Sequence, residues 1–155
     1  MCPGLGDACS DCEALQCEAT YCECYGNPEC GALVACFDAC VPFDQPCYQN
    51  CMTTHQAGIS DAFLVGDCAA TSCTAACPAA QPQKPCAKCL YTHCETPTNA
   101  CLASKDCSAL VQCIQNCGAN DPICQQLCQG QYPLGVPALQ NLTTCLGQFC
   151  DTECN

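Results

Sequence analysis

Of 155 residues, 26 are cysteine and only 24 are Leu, Ile, Val or Phe, so an oily core is excluded and the chain reads as a disulfide scaffold from an oxidising compartment. Fifteen acids against three lysines give a net charge of −12, which excludes the basic footprint needed to hold nucleic-acid phosphates. No stretch of about 20 apolar residues occurs, which excludes a membrane-spanning helix.

Residues 1–8 form an N-terminal segment. Met1 is followed at once by Cys2 and Pro3, without a charged and then apolar leader, so Met1 reads as an added start on a mature chain. From Cys9 onward the sequence repeats. A shift of 77 positions lays the twelve cysteines from Cys9 to Cys77 onto those from Cys86 to Cys154 without a gap. Seven other positions are identical, among them Leu33 and Leu110, Asp44 and Asp121, Gln49 and Gln126, and Gly58 and Gly135. A period of this kind means a duplicated unit. Residues 9–77 and 86–154 are therefore two tandem Cys-rich modules, joined by the polar, proline-rich linker 78–85.

Helices are predicted over 10–24, 28–41, 45–56 and 60–76, and over the same ranges plus 77. Asn27-Pro28, Ser104, Asp44 and Asp121 supply N-terminal caps, while Val41-Pro42, Gly118, Gly58 and Gly135 supply stops. Pro97 should shorten the first helix of the second module. With no alternating strand pattern, the predicted fold is all-α and disulfide-rich: two modules of about four short helices each, containing disulfide-stapled helical hairpins.

The spacing C-x3-C-x6-C-x3-C occurs at Cys36, Cys40, Cys47 and Cys51, and again at Cys113, Cys117, Cys124 and Cys128. Cysteines four apart share one helix face. Two such helices joined by a short turn then present nested pairs: Cys36 with Cys51, Cys40 with Cys47, Cys113 with Cys128, and Cys117 with Cys124. For the rest of the first module the mirrored C-x4-C spacings favour Cys12 with Cys73, Cys17 with Cys68, Cys9 with Cys77, and Cys24 with Cys30. Other connectivities stay open, because six cysteines alone allow about 15. Cys2 and Cys22 lie outside the repeat register. Their simplest fate is a bridge with each other; the alternatives for Cys2 are a crosslink to a neighbouring molecule in a head-to-tail array, or a lipid anchor.

Thiolate ligation of Cu(I) or Zn(II) is the rival use of these cysteines, with the short spacings at Cys9, Cys12, Cys22, Cys24, Cys86 and Cys89 as its ligands. Most gaps are longer than a metal-thiolate cluster favours, and His55 and His93 fall at non-equivalent positions of the repeat. No strand-helix-strand pattern surrounds the C-x2-C pairs as a thiol redox site would need. Ser10, Ser60, Ser72, Ser104 and Ser108 lack a nucleophile-elbow context, and Asp7, Asp11 and Glu13 lack the spacing of a calcium loop. No catalytic residue and no cofactor is therefore assigned.

The run Cys107-Ser108-Ala109-Leu110-Val111-Gln112-Cys113, the C-x3-C after it and Tyr132-Pro133-Leu134-Gly135 resemble the uncharacterised cysteine-rich exported repeat proteins of myxobacteria. That resemblance implies an exported protein, often a lipoprotein, without a defined activity. Taken together, the sequence reads as a non-enzymatic structural or protein-interaction module of the extracellular space, cell surface or periplasm. It would bind a protein partner or self-associate head to tail, with no evident small-molecule substrate. A secreted Cu/Zn thiolate binder and a small inhibitor or toxin-like effector are the alternatives.

Overall fold

The short polar residues that the sequence offers as caps sit where helices begin in the computed structural model, which describes residues 2–118 and 121–154. Helix α1 spans Ala8–Gln16, α2 Glu18–Gly26, α3 Pro28–Ala39, α4 Gln45–Thr54 and α5 Ile59–Ser72. Their successors are α6 Pro85–His93, α7 Glu95–Ala103, α8 Lys105–Gln115, α9 Pro122–Gln131, α10 Val136–Phe149 and the short α11 Asp151–Cys154. The described residues contain no strand. Side chains of Asn27, Asp44, Ser104 and Asp121 each accept a backbone N–H from the first turn that follows, satisfying donors that have no partner inside the helix. Asp7, which the sequence reading passed over as a cap, does the same for Cys9 and Ser10.

Several helix boundaries differ from expectation. The single helix over 10–24 is two, broken at Cys17 (φ −117°, ψ 28°), and its counterpart breaks at Cys94 (φ −125°, ψ 33°). Pro97 does not cause the second break, since the first half breaks at the same place without a proline. Pro97 stands in the first turn of α7, where a missing N–H costs nothing. Helices α3 and α8 stop at Ala39 and Gln115, ahead of Val41-Pro42 and Gly118. Residues 73–76 form a turn closed by the Cys77 N–H donating to the Cys73 carbonyl at 2.7 Å, rather than a last turn of α5.

Short 3-10 turns at Gln56–Gly58 and Pro133–Gly135 lead into α5 and α10. Each turn presses on the start of the helix opposite. A Cβ at Gly58 would overlap the backbone of Glu29 and Cys30, and one at Gly135 the backbone of Asp106 and Cys107. This close approach explains why both positions lack a side chain.

Sulfur fills the places that Leu and Ile hold in ordinary cores. One cluster joins Cys17, Tyr21, Cys24, Cys30, Val65, Ala69, Cys73 and Cys77. A second joins Leu33, Cys40, Cys51 and Ile59 with Ala103, a residue of the second half. The first half thus borrows part of its interior from α7.

Candidate functional site

Every cysteine lies within the described residues, and all 26 are paired in 13 bridges with none free. The hairpin of α3 and α4 carries Cys36–Cys51 and Cys40–Cys47, and that of α8 and α9 carries Cys113–Cys128 and Cys117–Cys124. Within a hairpin the two bridges stack, with Cys40 Sγ 3.7 Å from Cys51 Sγ and Cys117 Sγ 3.8 Å from Cys128 Sγ. The stretch from α1 to Cys17 is tied to α5 and the turn after it by Cys9–Cys77, Cys12–Cys73 and Cys17–Cys68, and Cys24–Cys30 closes the corner between α2 and α3. Cys86–Cys154, Cys89–Cys150, Cys94–Cys145 and Cys101–Cys107 repeat these separations of 68, 61, 51 and 6 residues.

Cys2 is bonded to Cys22. That bond takes away the thiol through which Cys2 would join a neighbouring molecule or carry a lipid. The six cysteines of the thiolate alternative are dispersed as well: Cys9, Cys12, Cys22, Cys24, Cys86 and Cys89 bond to Cys77, Cys73, Cys2, Cys30, Cys154 and Cys150. A bridged sulfur carries no thiolate charge for a metal.

Several hydroxyl, imidazole and carboxyl groups make local contacts. Ser10 Oγ donates to Asp7 Oδ2 at 2.6 Å, and this bond, with the capped N–H groups, holds the Asp7 carboxyl below its ordinary range. Ser108 donates to the carbonyls of Cys101 and Leu102. His55 Nδ1 lies 2.9 Å from Glu29 Oε2. Glu13 sits beside Cys9 and Cys77, and burial first, then the charge of Asp7, pushes its carboxyl up.

The seam where the halves meet escaped the sequence reading. Asp67, only 5 % exposed, accepts the Gln83 N–H at 2.8 Å and the Lys88 ammonium at 2.7 Å. Burial alone would raise its carboxyl; Lys88 and Gln83 outweigh that and hold it below the usual range. The segment 78–85 is pinned by the same contact. Ser60, fully buried, donates both its N–H and its hydroxyl to Asn99 Oδ1, at 3.0 and 2.6 Å. Gln49 Nε2 donates to the Leu102 and Ala103 carbonyls at the end of α7, and Thr53 Oγ1 to the latter at 2.7 Å. Phe63 stacks on Tyr91 at 5.1 Å between ring centres, and burial pushes the Tyr91 hydroxyl up to about 12. Glu95 faces Asp61 and Glu23, and partial loss of water around it first, then both charges, pushes its carboxyl up.

Beside this seam a cleft of about 760 Å³ opens between α4 and α8, with Gln49, Asn50, Thr53, Lys105, Ser108 and Gln112 among its walls. No helix is long and apolar enough to cross a membrane among the described residues. No family model, no curated protein and no solved structure matches the chain.

Proposed function

We propose that this chain is an exported structural or protein-interaction module whose covalent crosslinks let its shape survive proteolysis and heat. The observation that carries the reading is the pairing of every cysteine within the chain. A chain this poor in branched apolar residues has little else to offset the backbone entropy lost on folding, about 1–2 kcal/mol per residue. Each bridge adds roughly 2–4 kcal/mol by restricting the unfolded chain. Such a set of bridges fits an oxidising environment outside the cytosol. The likeness of Cys107–Cys113 and Tyr132–Gly135 to exported myxobacterial repeat proteins points the same way. Head-to-tail assembly through the Cys2 sulfur is not part of this reading, because that sulfur is spent on Cys22.

Digestion with a protease of broad specificity tests the proposal. The oxidised chain should remain intact for hours at 37 °C (roughly the condition under which small domains without their bridges fail to fold), and the reduced chain should be degraded. Equal rates of degradation in the two states would refute it.

A further inference from the structure

The two halves fill the same core positions with different side chains. In the first half the fully buried Leu33 and Ile59 are packed over by Phe37, Tyr48, Met52 and Phe63. The Phe37 and Tyr48 rings meet edge-on, 5.5 Å between centres. The repeat shift carries Leu33 and Ile59 onto Leu110 and Val136, so the floor stays apolar. It carries the four residues above that floor onto Ile114, Gln125, Gln129 and Gln140. Three large apolar side chains thus become amides, and the fourth loses its ring. Leu139 and Thr143, in place of Ala62 and Gly66, give back only part of the lost bulk.

Where the first half has those rings, the second half has a groove of about 340 Å³ between α8, α9 and α10. Leu110, Ile114, Val136 and Leu139 line it together with the amide side chains of Gln125, Gln129 and Gln140. Leu110 is fully buried, whereas Ile114, Val136 and Leu139 keep part of their surface in water. The volume falls within the range of small-molecule sites, about 300–1,000 Å³, and an apolar lining with a few hydrogen-bonding groups is their usual chemistry. A glutamine amide both donates and accepts. No residue lining the groove carries a charge.

We propose that this groove binds a small neutral aromatic molecule carrying a hydroxyl or an N–H, of the phenol or indole kind. The first half shows what fits over such a floor: its own Phe37 and Tyr48 rings. In the second half the ligand's ring takes their place on Leu110, Val136 and Leu139, and its polar group exchanges hydrogen bonds with the glutamine amides. Charged ligands are disfavoured, because the lining offers no counter-charge and an unpaired charge is costly to take out of water. The chain's net −12 repels anions in addition.

Titration of the oxidised chain with phenol, followed by backbone amide shifts in NMR, tests this. The expected result is saturable shifts confined to α8, α9 and α10, with a Kd on the order of a few millimolar for so small a ligand. Cyclohexanol, equal in heavy atoms but without the flat ring, should bind more weakly. Ile114→Phe with Gln125→Tyr restores the rings of the first half and should weaken phenol binding about tenfold or more, with helicity and full bridging unchanged. Gln125→Tyr alone, at a partly exposed position whose counterpart is already Tyr48, should act in the same direction where the pair disturbs folding. Ile123→Gln with Leu127→Gln, two exposed side chains on the other flank of α9, should leave binding unchanged. Absence of saturable shifts, shifts scattered over the whole surface, cyclohexanol binding as tightly as phenol, or binding indifferent to the ring-restoring variants would each overturn the proposal. So would self-association of the parent that those variants abolish, since the groove would then belong to a second copy.

Discussion

Removing Cys9 and Cys77 together, by substitution with alanine, should destabilise the chain far less than the span of that bridge suggests. An isolated bridge across 68 residues restricts the unfolded chain by ~4.4 kcal/mol. Cys12–Cys73 lies just inside it, however, and survives the substitution. The unfolded chain is then already pinned, and the lost bridge frees only a ring of about eight residues, which the same relation values at ~2.5 kcal/mol. Cys36–Cys51 stands in the same relation to Cys40–Cys47 although it spans only 15 residues, where an isolated bridge would contribute ~3 kcal/mol. Each substitution also empties one buried sulfur position, Cys77 or Cys51, so packing losses are comparable. Guanidinium unfolding of the two double variants, followed by circular dichroism without reductant, should therefore give similar losses of ~2.5 kcal/mol. A loss for the Cys9/Cys77 variant exceeding that of Cys36/Cys51 by more than ~1 kcal/mol would refute the nested picture.

The seam should weaken in acid. Asp67 is held below its unfolded value near 3.9, so its contribution is present at neutral pH and is lost as pH falls below about 4 and through the folded value. Melting temperatures from pH 5 to pH 2 should fall more steeply for the parent than for Asp67→Asn, a comparison in which the opposing effect of Glu95 cancels; parallel curves would contradict the assignment. Asn99→Ala strands the buried Ser60 N–H and hydroxyl and should cost about 1–3 kcal/mol in chemical unfolding, with the cost of adding Ser60→Ala less than additive. Gly58→Ala drives a methyl group into the Glu29–Cys30 backbone and should lower stability by roughly 1–3 kcal/mol. Gly66→Ala, inside α5 with open space around it, should raise stability by up to about 1 kcal/mol, and calorimetry separates the two.

What the sequence made legible is what short-range chemistry decides. Asn27, Asp44 and Asp121 mark helix starts because their side chains reach only the next turn, and i,i+4 cysteines set which sulfurs face across a hairpin. The breaks at Cys17 and Cys94 were hidden, since a four-residue gap between cysteines is compatible with an unbroken helix and nothing local announces the ties to Cys68 and Cys145 that hold the chain there. The seam was hidden for a different reason. Comparing the two copies highlights positions that agree, whereas Ser60, Asp67, Lys88 and Asn99 face Pro137, Thr144, Asp11 and Cys22 in the repeat. A surface that joins one copy to the other is made of residues used once, and the differences between the copies are where it was written.

Mass spectrometry of the folded chain, with thiol alkylation before and after reduction, tests most directly whether sulfur crosslinks hold this fold together. The account predicts a mass 26 hydrogens below that of the reduced chain, with no label taken up until a reductant is added and helicity lost once it is. A chain that keeps its helices while its cysteines are alkylated without reduction would contradict it.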